Sequence, residues 1–497
     1  MRTITLDEVA KHNSASDCWV VIHGSVYDLT AFLSEHPGGS KVILKQAGKD
    51  ATAAFEQVHP RDIIEQHLPK SLHLGVLDAG SASAAAASAA AEAAAAAAAK
   101  PKPPPLDSVL NVFDFEGIAK HVLTKEAWAY YSSGGDDELT LQENHAAFHR
   151  IWLRPRVMRN VKTVDTRTTM LGQPSALPFY VTATALGKLG HPEGEVVLTR
   201  AAGTRGLIQM IPTLASCSFD ELVDASIPGQ PQFFQLYVNS DRKVTESIVR
   251  RAEARGMKGL FITVDAPQLG RREKDMRVKF VDDTPDLIDP NDSNRNMGAA
   301  RAISHFIDPS LSWDDIPWFK SITKMPIVLK GVQTGEDAVL AAKAGLAGIV
   351  VSNHGGRQLD TVRSGIEILE EVVDHLKRHG LEGRLEIYVD GGFRRGTDIF
   401  KALALGARGI GLGRPFLYAM STYGQAGVER AIDLLRDELE MTMRLMGVTS
   451  ISQITRDSVL TKSLSFHAGT PLYDSLSRET YDPLRTSGDA VVVKSKL

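Results

Sequence analysis

Cysteine is scarce in this sequence of 497 residues. The two cysteines, Cys18 and Cys217, lie too far apart to form the disulfide framework of a small secreted domain, which fits a reducing compartment. Long hydrophobic runs are also lacking. The best candidate for a membrane span, the alanine tract at 81–99, is barely apolar and contains Glu92, so no membrane span is predicted.

The chain has no large excess of charge of either sign. It contains 56 Lys and Arg against 60 Asp and Glu, a net charge of -4, and no basic block that could follow a phosphate backbone. Nucleic acid is therefore not an expected partner. The N-terminus has neither the apolar segment of a secretory signal nor an Arg- and Ser-rich presequence. The compartment of the protein stays open between the cytoplasm and the mitochondrial intermembrane space.

Composition divides the chain into four parts. Residues 81–105 form a low-complexity run of alanines closed by prolines, which is typical of a semi-rigid linker. We therefore expect a small domain at 1–78, a linker at 79–107, a large domain at 108–465 and a polar, turn-rich tail at 466–497.

The large domain repeats one pattern eight times: a short apolar run, a turn, and a stretch with helical composition such as 336–345 or 397–406. Eight strand-helix units predict a (β/α)₈ barrel, with a doubly wound sheet as the alternative. The segment 270–325 is too long for a normal connection and is expected to pass over the barrel mouth. The predicted strands are 178–185, 206–211, 232–238, 259–266, 326–331, 348–353, 386–392 and 409–415.

Polar residues follow the predicted strands, where a barrel builds its active site. The glycine-rich stretches 390–396 (DGGFRRG) and 413–415 (GRP) follow the last two strands and predict a phosphate site. A Rossmann fingerprint is rejected because the glycine spacing and the following acidic residue do not match. A phosphate site with apolar walls suggests a phosphorylated ring cofactor across the barrel mouth, which describes a flavin mononucleotide. Lys330 would place a cation beside its ring. His354 would act as a base stabilised by Asp265, with Arg357 holding a carboxylate.

From about 108 to 465 the chain resembles the FMN-dependent 2-hydroxy-acid oxidases and dehydrogenases. The resemblance is carried by AWAYYSSGGDDELTLQENHAAF, QLYV, TVDAPQLGRREKD, LKGV, SNHGGRQLD, DGGFRRGTD and GLGRPFLY. It implies that His354 is the catalytic base and that Asp265 is its carboxylate partner. It also implies these other catalytic or substrate-binding residues: Tyr130, Ala185, Leu214, Tyr237, Arg272, Lys330 and Arg357. The flavin-contacting positions that it implies are Thr182, Ala183, Thr184, Ala185, Gln235, Thr263, Lys330, Asp390, Gly391, Gly392, Phe393, Arg394, Gly413 and Arg414. One position departs from the family pattern: Pro212 stands where members often have a flavin-contacting serine.

Residues 1–78 resemble cytochrome b5, an α+β haem domain. EHPGGSK carries His36 and FEQVHP carries His59, which the resemblance makes the two axial ligands of haem b. Two imidazoles would leave no open position on the iron, so the haem would carry electrons.

Together the two halves are similar to the cytochrome-linked L-lactate dehydrogenases. The resemblance implies oxidation of L-lactate or a similar short 2-hydroxy acid, with transfer of single electrons through haem to cytochrome c. It also implies a homotetramer in which the tail contacts a neighbour. Two alternatives remain: a 2-hydroxy-acid oxidase that reduces oxygen, and a haem-binding sensor on an inactive barrel.

Overall fold

The computed structural model of the chain describes residues 2–36, 40–60, 63–81, 83, 102–280 and 307–467. Most of the predicted linker, the tail from 468 to 497, and the segment 281–306 within the predicted excursion lie outside the described residues. Within the described ranges, no helix has the length and apolar character needed to cross a bilayer.

The N-terminal residues form a mixed five-stranded sheet in the order β1-β5-β4-β3-β2. Its strands are β1 (Thr3–Ile4), β2 (Asn13–Ser14), β3 (Asp17–Ile22), β4 (Ser25–Asp28) and β5 (His73–Leu77). Its helices are α1 (Leu6–Val9), α2 (Ser40–Leu44), α3 (Thr52–Val58) and α4 (Ile63–His67). His23 and Gly24 link β3 to β4 with φ values of +50° and +73°, the left-handed pair of a tight two-residue hairpin.

The two faces of this sheet bury different apolar clusters because alternate side chains of a strand point to opposite sides. Cys18, Val20 and Ile22 of β3 pack with residues of α2, α3 and α4, whereas Val21 packs with α1 and β5 on the other face. The first cluster forms the floor on which the predicted haem ligands lie.

The strands between residues 179 and 412 form the predicted barrel, closed by eight parallel strands, which excludes the doubly wound sheet. Three short strands precede the barrel: β6 (Trp152–Leu153), β7 (Thr168–Met170) and β8 (Gln173–Ser175). The barrel strands are β9 (Phe179–Val181), β10 (Gln209–Pro212), β11 (Gln232–Leu236), β12 (Leu260–Thr263), β13 (Ile327–Val332), β14 (Gly348–Val351), β15 (Glu386–Asp390) and β16 (Gly409–Leu412). A last strand, β17 (Val459–Leu460), pairs with β6.

Helices surround the barrel and precede it along the chain. They are α5 (Val112–Val122), α6 (Lys125–Ser132), α7 (Leu139–Ala146), α8 (Glu195–Thr204), α9 (Phe219–Asp224), α10 (Arg242–Ala254), α11 (Glu273–Phe280), α12 (Ile316–Ile322), α13 (Gly335–Lys343), α14 (Gly365–Arg378), α15 (Gly396–Ala404) and α16 (Arg414–Met446). The helical segments predicted at 336–345 and 397–406 correspond to α13 and α15.

The barrel interior is a packed apolar core. Tyr180, Phe233, Phe261 and Tyr388 are fully buried there, and the β7–β8 hairpin contributes Met170 from the bottom end. Because large side chains fill the middle of the barrel, a ligand can enter only above them, at the C-terminal ends of the strands.

Candidate active site and haem cradle

The loops at the C-terminal ends of the barrel strands enclose one cleft. It contains about 1110 Å³ of empty space, part of it open to solvent. Asp265 does not line the cleft and lies directly behind His354. The other residues predicted for the barrel all line it: Tyr130, Thr182, Ala183, Thr184, Ala185, Leu214, Gln235, Tyr237, Thr263, Arg272, Lys330, His354, Arg357, Asp390, Gly391, Gly392, Phe393, Arg394, Gly413 and Arg414.

His354 lies in the loop that follows β14, between an acceptor on one side and a hydroxyl on the other. Its Nδ1 is 2.9 Å from Asp265 Oδ1, and its Nε2 is 3.2 Å from the Tyr237 hydroxyl. His354 has a φ of +59°, which is uncommon for a side chain other than glycine, and it is followed by Gly355 and Gly356 at +65° and +76°. This left-handed run turns the imidazole into the cleft.

The protonation of this pair follows from its burial. Burial lowers the pKa of His354 below 6.5, and the carboxylate of Asp265 opposes that shift only in part. Burial alone would raise the pKa of Asp265, but His354 and Lys330 offset this effect and the pKa is lowered. The imidazole is therefore neutral and the carboxylate charged near pH 7, the state required of a base that accepts a proton at Nε2.

Two guanidinium groups face the cleft beside this base. Arg357 stacks over the Tyr130 ring at 4.9 Å and donates through one nitrogen to the carbonyl oxygens of Tyr130 at 2.7 Å and Ser133 at 3.0 Å. Burial, followed by repulsion from Arg357, lowers the pKa of Arg272 to about 10. Two neighbouring cations in a buried cleft favour an anionic ligand, because that ligand relieves their mutual repulsion.

A buried ion pair lies at the end of β13. Lys330 Nζ is 3.3 Å from Asp390 Oδ2 and donates to Ser352 Oγ at 3.2 Å. Burial by itself would lower the pKa of Lys330, but Asp390 and Asp265 raise it, so the ammonium stays charged. Asp390 Oδ1 and Thr182 Oγ1 are buried without a hydrogen-bond partner in the part of the chain that the structure describes. Such orphaned polar atoms at a cleft wall fit a bound polar ring.

The glycines after β15 open the other end of the cleft. Gly391 and Gly392 have φ values of +91° and +85°, and a Cβ on Gly392 would lie 1.9 Å from the carbonyl oxygen of Asn144. Arg394 and Arg414 add charge there. Arg414 donates to the carbonyl oxygens of Tyr131, Gly355 and Ser133. A glycine turn at the cleft wall flanked by guanidinium groups fits a phosphate, so this cleft suits a phosphorylated ring cofactor such as FMN.

His36 and His59 form a separate site in the N-terminal sheet domain. Their ring centroids are 6.0 Å apart, a gap that one metal ion can bridge, and Phe55 packs on His59 at 4.9 Å. Burial, with a smaller contribution from His36, lowers the pKa of His59 to about 4. A neutral imidazole is the form that binds iron, so the lowered pKa of His59 and the short distance between the two rings suit the axial positions of a haem.

The comparison with family models assigns the larger part of the chain. A model described as FMN-dependent dehydrogenase matches residues 119–461, more than half of the sequence. The chain belongs to this family. A second model, described as a cytochrome b5-like heme/steroid binding domain, matches residues 5–78. This FMN-dependent dehydrogenase therefore has two cofactors, FMN and haem.

Curated relatives and solved structures agree with that assignment. L-lactate dehydrogenase (cytochrome) of Wickerhamomyces anomalus is 54% identical, covering 98% of this chain and 84% of that protein. The protein of the same name from Saccharomyces cerevisiae is 50% identical over 96% and 82%. Glycolate oxidase 1 of Zea mays is 46% identical and covers 72% of this chain and 97% of the oxidase. The structure of the recombinant flavin-binding domain of baker's yeast flavocytochrome b2 is 51% identical with a TM-score of 0.69, covering 78% of this chain and 96% of that one.

Several residues that shape the active site of this FMN-dependent dehydrogenase were missed by sequence reasoning. Gln358 is buried, and its amide donates to the carbonyl oxygens of Asp265 and Gln268, both at 2.9 Å, and accepts from Gly270 N at 3.0 Å. It holds the loop that carries both Asp265 and Arg272. Leu269 also lines the cleft. The only sequence signal was position: Gln358 directly follows Arg357.

A buried amide pair joins α7 to the histidine loop. The side chains of Asn144 and Asn353 exchange two hydrogen bonds of 2.9 and 2.8 Å. Asp360, in the same loop, accepts from the backbone N–H groups of Leu139 and Thr140 at the start of α7. The stretch SNHGGRQLD therefore supplies the base and also fixes the helices that close the cleft.

Proposed function

We propose that this FMN-dependent dehydrogenase oxidises L-lactate, or a similar short L-2-hydroxy acid, to the 2-oxo acid and passes the electrons singly through haem b to cytochrome c. The observation that carries the proposal is the presence, in one chain, of a base beside two guanidinium groups and of two histidines whose ring centroids lie 6.0 Å apart. The curated relatives that share both halves are named for this activity.

The substrate carboxylate is proposed to bind Arg357 and the Tyr130 hydroxyl, with Arg272 as a second cation. Arg357 is well placed because its hydrogen bonds to carbonyl oxygens use one terminal nitrogen and leave N–H groups for the ligand. A bidentate guanidinium contact would fix the orientation of the acid and place its hydroxyl near His354 and Tyr237.

His354 is proposed to accept the hydroxyl proton at Nε2. Asp265, 2.9 Å from Nδ1, would stabilise the imidazolium that forms. Burial raises the pKa of Tyr237, so this residue keeps its proton and donates a hydrogen bond to the substrate oxygen. FMN, when bound, would be the acceptor of the two electrons that leave the substrate together with the hydrogen on its carbon, and it would pass the electrons on one at a time. Lys330 would supply positive charge at the flavin ring. The other cleft residues that the sequence predicts as flavin contacts are proposed to bind the same cofactor.

Substrate size is proposed to depend on Ala185 and Leu214, in the loops after β9 and β10. Both line the cleft. A leucine leaves little room beside the reacting carbon, which favours a short aliphatic acid over an aromatic one.

His36 and His59 are proposed to hold haem b in the domain at 1–78, joined by the linker at 79–107 to the barrel at 108–465. The small domain carries ten acidic and seven basic side chains, a balance that favours encounter with a basic partner such as cytochrome c. The homotetramer, with a tail at 466–497 that contacts a neighbour, is proposed from the family resemblance, and light scattering of the purified protein tests it.

Anaerobic stopped-flow absorbance with L-lactate tests the electron path. The proposed route requires bleaching of the flavin band followed by reduction of the haem Soret band, and then reduction of added cytochrome c. Flavin bleaching without haem reduction, together with rapid oxygen consumption in air, would favour a 2-hydroxy-acid oxidase. The absence of flavin bleaching with any 2-hydroxy acid would leave a haem-binding protein on an inactive barrel.

A further inference from the structure

A buried carboxylate lies outside the cleft and has no part in the chemistry described above. Glu195 is the first residue of α8, its residue exposure is 0%, and both of its oxygens are saturated. Oε1 accepts from Gly187 N at 2.7 Å and Ser216 N at 3.0 Å. Oε2 accepts from Ser216 Oγ at 2.8 Å and Cys217 N at 3.2 Å.

The four donors come from two separate loops. Gly187 belongs to the loop after β9, which carries Ala185, and Ser216 and Cys217 belong to the loop after β10, which carries Leu214. A direct bond from Lys188 N to Ser216 Oγ at 2.9 Å joins the same two loops. Glu195 is therefore a bridge between the two segments that face the substrate side chain.

The atoms packed around Glu195 leave no room for another side chain to take its place between the two loops. A Cβ on Gly187 would lie 2.9 Å from Glu195 Cδ, and one on Gly194, where φ is +54°, would lie 2.9 Å from Cys217 Sγ. Tyr131 also donates to the carbonyl oxygen of Leu186 at 2.7 Å, which ties the first loop to α6. Among these contacts, Glu195 is the side chain that accepts four hydrogen bonds from the two loops together.

A carboxylate suits this position better than an amide. All four groups that face it donate, and only an ionised carboxylate offers acceptors to every one of them. Its place at the N-terminus of α8, a helix of 10 residues, adds a favourable interaction with the helix dipole. An amide would direct its NH₂ group at donors and separate the loops.

We infer that Glu195 is a positioning residue for substrate selectivity: it sets the separation of Ala185 and Leu214 and so limits the length of the substrate side chain. This inference rests on the proposed oxidation of short 2-hydroxy acids. Glu195 does not line the cleft, so its effect should appear in the choice between substrates and in KM more than in the rate of the chemical step.

The test compares Glu195→Gln with Glu193→Gln, a control two residues away whose exposed side chain pairs with Arg200. Steady-state kinetics of each holoenzyme are measured with L-lactate and with L-2-hydroxyhexanoate. We expect the ratio of kcat/KM for the longer acid over L-lactate to rise about tenfold in Glu195→Gln, mainly through KM, and to stay unchanged in the control. Glu195→Asp should fall between the two, because it keeps the charge but shortens the reach.

A lower thermal midpoint in Glu195→Gln with an unchanged substrate ratio would show a merely structural role and overturn the inference. If Glu195→Gln does not fold, Glu195→Asp decides, since it withdraws the carboxylate from its donors and leaves the Lys188 N–Ser216 Oγ bond in place. An unchanged ratio in that variant contradicts the inference, and a rise of about twofold or more supports it. A wild-type enzyme that oxidises no 2-hydroxy acid would overturn the proposed function itself, and the inference with it.

Discussion

Replacing Asp265 with asparagine should slow the enzyme and move its pH profile in a defined direction. The side chains are nearly the same size, and the amide oxygen can still accept the hydrogen bond from His354 Nδ1 that spans 2.9 Å in the wild type. The substitution therefore removes the charge that stabilises the imidazolium while it leaves the imidazole in place.

The size of the effect follows from that distance. Coulomb attraction between unit charges 2.9 Å apart is about 6 kcal/mol at an effective dielectric constant of about 20, which is an upper limit. A hydrogen bond to a charged group contributes about 1.5–3 kcal/mol net. We therefore expect kcat to fall roughly 10- to 150-fold.

The pH dependence has a clear sign. Burial lowers the pKa of His354 and Asp265 raises it, so removal of the carboxylate lowers this pKa further. The base is neutral above its pKa, and the acidic limb of kcat/KM in the wild type should lie below pH 6.5. In Asp265→Asn this limb should move to lower pH still.

The assay is steady-state reduction of cytochrome c by L-lactate between pH 4.5 and 8, which gives kcat and KM at each pH. Asp433→Asn serves as the control, because Asp433 pairs with Arg205 on the outer helices and does not line the cleft. A loss of less than twofold in kcat, or an acidic limb that moves to higher pH, would refute the reasoning.

Three further predictions concern other parts of the molecule. His59→Ala should remove the haem Soret band but retain flavin bleaching by L-lactate, whereas His73→Ala should keep both; loss of flavin bleaching in His59→Ala would contradict separate sites. Gly331→Ala would place a Cβ 2.6 Å from the side chain of Asp265, so kcat should fall about 100-fold with flavin absorbance retained, and wild-type kcat would refute that contact. Gln358→Glu would direct a carboxylate at two carbonyl oxygens, so kcat should fall and the free energy of unfolding should drop by about 1–3 kcal/mol. Calorimetry should show this loss as a lower thermal midpoint, and an unchanged midpoint would contradict the role of Gln358 in holding the loop.

The barrel could be predicted because each strand is a short apolar run followed by a turn. The predicted runs extended beyond the strands at several C-terminal ends. The run at 348–353 ends as a strand at Val351, since Ser352 and Asn353 turn their side chains to hydrogen bonds in the histidine loop. The β7–β8 hairpin that closes the bottom of the barrel was not predicted, because its strands are only three residues long.

Residues at the strand ends could be predicted as a group because a barrel gathers them at one mouth. Residues that hold these strand-end residues in place could not be predicted. Asn144 and Asn353 are far apart in the chain, and no local pattern indicates that they pair. Glu195 reads as an ordinary acidic residue in the first turn of a helix, and its four donors become visible only when both loops are folded around it.

The most direct test of the central claim is a crystal structure of the holoenzyme soaked with pyruvate. The account predicts the carboxylate on Arg357 and Tyr130, with the 2-oxo oxygen within hydrogen-bond distance of His354 Nε2 and the Tyr237 hydroxyl. A pyruvate bound in the opposite orientation, with its carboxylate away from Arg357 and its oxo oxygen out of reach of the imidazole, would contradict the account.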